Sequence, residues 1–174
     1  MQISEKLDII IEKHHYYESL NKKLLEDESI ADYNPLNNSY QNGDTASFSA
    51  PTTNSKSIEL IISWIRGLII NHYPYLKWEQ VKREDTWFVR YKVGEETKPH
   101  DHQPCLYSWV YFVNCPKGSS PLVFSNSGKR IKPEEGKVVI FPAILKHHVP
   151  KSRCDDRVVL SGNLTTLESD HCPQ

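Results

Sequence analysis

Residues 147–163 read HHVPKSRCDDRVVLSGN, and the reading of the chain starts from them. A histidine pair closes the short run FPAILK at 141–146, a polar turn follows, and a second apolar run opens with Arg157. Side chains alternate along an extended strand, so Arg157, Val159, Ser161 and Asn163 share one face. An arginine on a buried face needs an anionic partner. Asp155 or Asp156 could serve on the surface; a small-molecule carboxylate, gripped bidentately by the guanidinium fork, is the other candidate.

Some fifty residues upstream lies a second histidine pair, in KPHDHQP at 98–104. On a strand His100 and His102 point to the same side, within reach of one metal at roughly 2.1 Å, while Asp101 points away. A third histidine from a distant strand completes a facial set of three and leaves positions open for ligands. His148, next to His147, is expected to face the other way.

Between and around these pairs run TWFVRYKV, LYSWVYFV, SPLVF, KRI, GKVVIF and DRVVLSGNL, rich in Val, Ile, Tyr, Phe and Trp. Gly94, Gly118, Gly128 and Gly136 stand between them as turn residues. Short, closely spaced strands of this kind predict an antiparallel sandwich or barrel. The N-terminal third has a different texture. Ile3, Leu7, Ile10, Tyr17, Leu20 and Leu24 recur at helical steps and predict an amphipathic helix ending near Glu28. Residues 29–56 carry no period and read as a long loop, with Tyr33, Tyr40 and Phe48 available to cover a site. Ser57 to His72 is apolar nearly all round and predicts a buried helix closed by Pro74. The expectation is a single α+β domain over 1–174. Residues 1–75 form its helical part with loop 29–56, residues 76–166 its β core, and 167–174 its tail.

Composition bounds the function. The chain has 174 residues, 21 Lys+Arg against 22 Asp+Glu and a net charge of −1, with 38% hydrophobic residues, which excludes a disordered or collagen-like chain. No basic run offers a footprint to nucleic acid or an anionic membrane. No secretory leader or bilayer-length apolar run is evident, so the expected location is the cytoplasm. Cys105, Cys115, Cys154 and Cys172 lack a Cys-x-x-Cys spacing and are expected to be free thiols there. Eight histidines are the one unusual number. His14, His15, His72 and His171 lie in helical or terminal segments and call for no function.

The stretch from Trp87 to Asn163 resembles the double-stranded β-helix (jelly-roll, cupin-like) core of the iron(II)/2-oxoglutarate-dependent oxygenases. Within them it is closest to a prolyl-hydroxylase-like subgroup common in phages and marine bacteria, which allows a phage or bacterial origin. The matching pieces, in order, are WFVRYKVGEETKPHDH, SWVYFV, SPLVF, IKPEEGKVVIFP and HHVPKSRCDDRVVLSGN. The resemblance implies Fe(II) held by His100, His102 and His147. His147 follows Phe141 by six residues and precedes Val149 by two, as the family's distal ligand does. It makes Arg157, ten residues on, the anchor of the distal carboxylate of 2-oxoglutarate. Tyr91 matches a tyrosine that often assists that anchoring, and Ser161 could add a hydroxyl, although the family's usual Arg-x-Ser position holds Val159.

One departure stands out: the family pattern is His-x-Asp or His-x-Glu, and position 102 is a histidine. The implied activity is a dioxygenase that consumes 2-oxoglutarate and O₂, hydroxylates a C–H bond and releases succinate and CO₂. By analogy the substrate is a prolyl residue of a peptide or protein, with a small metabolite as the other class. Two other readings remain at this point. One is a cupin-like protein binding a metal such as zinc without redox chemistry, with Cys105 as a fourth ligand; the other is a β-rich interaction module. The apolar face of the first helix offers a contact for a homodimer.

Overall fold

The β-branched and aromatic runs become strands, and the long apolar run becomes a helix laid against them. The computed structural model describes residues 7–29, 47–48 and 55–166. In chain order these form β1 (Ile10–Lys13), α1 (Tyr17–Ser29), β2 (Ser47–Phe48), α2 (Lys56–His72) and a 3₁₀ turn at Trp78–Gln80. There follow β3 (Val81–Tyr91), β4 (Thr97–His100), β5 (Tyr107–Asn114), β6 (Leu122–Phe124), β7 (Arg130–Ile131), β8 (Lys137–Pro142), β9 (His147–Val149) and β10 (Arg157–Thr166). The larger sheet has the order β1-β8-β5-β10-β3-β2 and the smaller one β4-β9-β6-β7, all neighbours antiparallel. From β3 onward the chain passes back and forth between the two sheets. This is the expected double-stranded β-helix with helices packed on it.

Alternation gives the larger sheet two apolar faces. Phe88, Trp109, Tyr111, Val138, Ile140, Val158 and Leu160 point outward and are covered by Leu20, Leu24, Ile58, Ile61, Ile65 and Ile69 of the helices. Val89, Tyr91, Val110, Phe112, Val139, Phe141 and Val159 point inward and meet Leu122, Phe124, Ile131 and Val149 from the smaller sheet. Each such side chain stabilises the fold by roughly 1.5–3 kcal/mol when fully buried. The inward face is the one that also carries Arg157 and the histidines.

Local signals fix the helices. Ser55 caps α2 by accepting from the Ser57 and Ile58 amides at 3.2 and 3.4 Å, and Glu59 sits in the first turn, where the helix dipole favours it. Helix α1 is held to β5 by the buried Asn21. Its Nδ2 donates to the Val113 carbonyl at 2.6 Å, and its Oδ1 accepts from the Tyr111 hydroxyl at 2.8 Å. At the end of α1 the buried Glu28 receives Arg90 Nε at 2.8 Å.

Gly162 is a required absence of side chain. A Cβ there would stand 2.5 Å from the Asp85 carbonyl oxygen and 2.5 Å from the Trp109 indole. Neither the backbone nor a fully buried indole can yield cheaply. Gly162→Ala is therefore expected to cost about 1–3 kcal/mol, read as a lower urea midpoint; an unchanged midpoint would mean that the sheet can give way at this point.

The structure corrects the sequence reading in four places. The predicted first helix is not continuous through Ile10: Ile10–Lys13 is a strand on the edge of the larger sheet, with Ile10 opposite Ile140, and α1 starts at Tyr17. The β-branched run Ile9-Ile10-Ile11 suits a pleated edge better than a helix interior. The apolar face of α1 is not left over for a second copy, since Leu20 and Leu24 are buried against the sheet. Cys105 is disulfide-bonded rather than free, while Cys115 and Cys154 are free thiols. His102 lies beyond the end of β4, so strand alternation is not what aims it. Within loop 29–56, residues 30–46 and 49–54 lie outside the described residues, as do Ile3, His171, Cys172 and the tail. No described helix is long and apolar enough to cross a membrane.

Candidate metal and cosubstrate site

Strand pairing assembles the histidines. β4 runs antiparallel to β9 with His100 opposite His147, and Phe124 of β6 flanks His147 on the other side. After β4 the backbone turns, and the His102 amide donates to the Ala143 carbonyl at 2.9 Å, which brings the third imidazole over the same point. The ring centroids of His100, His102 and His147 lie 4.4–5.2 Å apart, and one ligand nitrogen from each falls within 4.8 Å of the others. Among the described residues this is the one group of three with metal-holding geometry. Asp101 turns away, accepting from the Gln103 amide at 3.3 Å, and His148 turns away to share a hydrogen bond with Ser125 Oγ at 2.9 Å.

The triad is prepared in tautomer and charge. Nδ1 of His100 lies 2.8 Å from the Lys98 carbonyl and Nδ1 of His147 lies 2.9 Å from the Leu145 carbonyl. A proton on Nδ1 donates there and leaves Nε2 free for a metal. Burial pushes His102 and His147 down to about 3, with neighbouring imidazoles adding to the effect, and burial lowers His100 too. Neutral imidazole is the form that ligates.

The same shifts make a stability statement. The unfolded chain takes up protons near 6.5 that folded His102 and His147 refuse until about 3, so their contribution is whole above 6.5 and shrinks as pH falls below it. The metal-free protein is expected to show a lower urea midpoint at about pH 5 than at about pH 7.5, and His147→Phe to narrow that gap. An equal gap in the variant would assign the loss to other groups.

Further into the same cleft lies Arg157, 0% exposed. Its Nε donates to the Ser120 carbonyl at 3.1 Å, and its guanidinium sits over the Tyr91 ring at 4.4 Å and near Phe112 at 5.6 Å. Neither Nη1 nor Nη2 has a partner. The two aspartates that might have paired with it are engaged elsewhere: Asp156 with Arg90, and Asp155 with the Val93 amide. A buried guanidinium with two idle nitrogens is costly to keep unless a ligand fills the gap, and its fork fits a carboxylate. Tyr91 pairs with Arg157 across β3 and β10, and its hydroxyl shares a 2.8 Å hydrogen bond with Thr97 Oγ1. Ser161 is buried and lines the cleft. Asn163, expected on the same face, is bonded to Ser108, whose hydroxyl donates to its Oδ1 at 2.8 Å.

All six residues singled out from the sequence, His100, His102, His147, Arg157, Tyr91 and Ser161, therefore line one cleft between the sheets. Three further participants were not foreseen. Trp87 stands beside His102, their rings 5.7 Å apart, and alternation with Val89 and Tyr91 along TWFVRYKV could have placed it. Thr97 and the Ser120 carbonyl act through position alone, and nothing in their local sequence marks them. Cys105, being disulfide-bonded, offers no thiolate to a fourth position, which removes the ligand a closed zinc set would have used.

Solved structures share this architecture. A viral collagen prolyl hydroxylase from Paramecium bursaria chlorella virus-1, in complex with 2-oxoglutarate, superimposes with a TM-score of 0.68 at 14% identity, over 91% of this chain and 96% of that one. A prolyl-4-hydroxylase from Pseudomonas putida gives 0.68 at 17% identity, over 92% and 93%. A prolyl hydroxylase from Trichoplax adhaerens, in complex with a hypoxia inducible factor peptide fragment, gives 0.67 at 13% identity, over 89% and 82%. No family model matches the sequence, and no curated protein is similar to it. At these identities the likeness is one of fold.

Proposed function

We propose that this chain is an iron(II)- and 2-oxoglutarate-dependent dioxygenase that hydroxylates a C–H bond, with a prolyl residue of a peptide or protein as its leading substrate class. The observation that carries the reading is Arg157: a buried cation with two unpartnered nitrogens, in the same cleft as three neutral imidazoles. Those two features together ask for a small molecule that has a carboxylate at one end and metal-chelating oxygens at the other.

His100, His102 and His147 would hold Fe(II), and Arg157 would take the distal carboxylate of 2-oxoglutarate while its Nε stays on Ser120. When bound, the metal and cosubstrate supply an oxidant by coupling O₂ to loss of CO₂ and formation of succinate. The protein contributes orientation and exclusion. Tyr91 forms the floor under the guanidinium and limits the positions it can take. Val89, Leu122, Phe141 and Val159 line the cleft and would give the cosubstrate an apolar wall. Trp87 at His102 offers a flat face against which a substrate ring can stack.

Succinate release tests the activity. With Fe(II), 2-oxoglutarate and air, proline-containing peptides are expected to raise turnover, with a gain of one oxygen atom on the peptide. His147→Ala should release no more succinate than a protein-free control. Wild type that fails to turn over 2-oxoglutarate with or without a peptide would count against the reading.

A further inference from the structure

The wall behind Arg157 is built from two turns. Residues 115–120 follow β5, residues 150–156 precede β10, and polar contacts tie them together. Ser120 Oγ donates to the Lys151 carbonyl at 2.8 Å, and Asn114 Nδ2 donates to the Asp156 carbonyl at 2.6 Å. The Ser120 carbonyl is the group that receives Arg157 Nε. Each turn also carries one free, half-buried cysteine, Cys115 and Cys154. Asn114 stands opposite Val158, so the next position on each strand sets Cys115 beside Arg157. The Cys115 thiol feels the charges of both Arg157 and Cys154. Cys154 Sγ lies 3.6 Å from Ser119 Oγ and 3.7 Å from Ser152 Oγ, and its Cβ packs 3.5 Å from where a side chain on Gly118 would begin.

We propose that Cys115 and Cys154 are a peroxide-oxidisable thiol pair, and that closing them into a disulfide weakens the hold of Arg157 on its carboxylate ligand. The second half rests on the reading of Arg157 given above; the first half does not.

The two thiols have different parts. Burial pushes Cys115 up to about 12 and keeps it protonated, so Cys154, whose sulfur sits between the Ser119 and Ser152 oxygens, is the thiol that reacts first. Cys154 sulfur attacks hydrogen peroxide, the O–O bond breaks, and a sulfenic acid forms with release of one water. Cys115 sulfur then displaces the hydroxyl, which leaves with the Cys115 proton as a second water. Two thiols lose two hydrogens and one peroxide becomes two waters. The new bond draws Cys154 off its serines and clamps the turns in a different relation, and the Ser120 carbonyl moves with its turn.

The test treats the metal-free full chain with hydrogen peroxide, removes the excess with catalase, and divides the sample. One half is digested without reduction; a linked peptide containing Cys115 and Cys154 is expected, with two hydrogens lost from the intact mass. The other half is titrated anaerobically with Fe(II) and 2-oxoglutarate. A tenfold or greater loss of 2-oxoglutarate affinity is expected, with Fe(II) affinity within about twofold. Cys154→Ser should show neither change, which separates the pair from the existing disulfide at Cys105. Absence of the linked peptide in wild type overturns the proposal, as does a linked peptide with unchanged 2-oxoglutarate affinity. Reduced wild type that binds no 2-oxoglutarate overturns the reading of Arg157 and with it the effect on the ligand, while the linked peptide still decides the thiol pair.

Discussion

Arg157→Met is expected to abolish useful 2-oxoglutarate binding while leaving the metal-free protein at least as stable as wild type. The two halves have one cause. Arg157 is fully buried, yet only its Nε has a partner, and both Nη nitrogens are idle. A residue kept for stability would have its donors satisfied, because a buried charge without partners costs several kcal/mol. Methionine fills most of the volume without the charge, so the loss of one bond to the Ser120 carbonyl is set against relief of that desolvation. For the ligand the balance is reversed. Removing one partner of a buried, hydrogen-bonded charge pair costs about 2–5 kcal/mol, a factor of roughly 30 to several thousand in affinity. Calorimetric titration with 2-oxoglutarate and urea unfolding of the metal-free protein read the two halves separately. A variant that unfolds more easily and keeps its affinity would make Arg157 a structural residue.

The second large effect separates two adjacent histidines. His147→Ala is expected to lower Fe(II) affinity by more than the roughly 10–100-fold that outer-shell partners of a metal command, and His100→Ala to do the same. His148→Ala should leave it within about threefold. His147 faces His100 across β4 and β9 and is 4% exposed, whereas His148 points to the opposite side of β9 and bonds Ser125. An equal loss in His147→Ala and His148→Ala would break this assignment. His102 has a distinct expectation. With imidazole in place of the family's carboxylate, the site keeps the full +2 charge of the metal, which favours a dianionic ligand but holds the metal less firmly. His102→Asp is accordingly expected to bind Fe(II) more tightly and 2-oxoglutarate no better.

What the sequence could and could not reveal follows from the range of the forces involved. The strands were legible because alternation and turn glycines are local, and α2 because its apolar run and its stop at Pro74 are local. Arg157, Val159 and Ser161 were placed on one face by the same alternation, and the two histidine clusters by their spacing. The N-terminal strand was misread because Ile10 and Ile11 fit either period, and the deciding factor was the free edge of β8, over a hundred residues away. His102 was expected beside His100 and His147, where the structure has it, but by the wrong device. It lies past the end of β4 and is aimed by the bond from its amide to Ala143, a contact that no spacing in KPHDHQP announces. Cys105 was misjudged because the absence of a Cys-x-x-Cys spacing speaks only against metal and redox motifs and is silent about other pairings.

The most direct test of the central claim is an anaerobic titration of the metal-free protein with Fe(II) and 2-oxoglutarate, followed in the visible range. A weak charge-transfer band should develop only when both are present and saturate at one of each per chain. In Arg157→Met it should require far more 2-oxoglutarate. Folded wild type that takes up Fe(II) and 2-oxoglutarate together without such a band would contradict the assignment of this cleft.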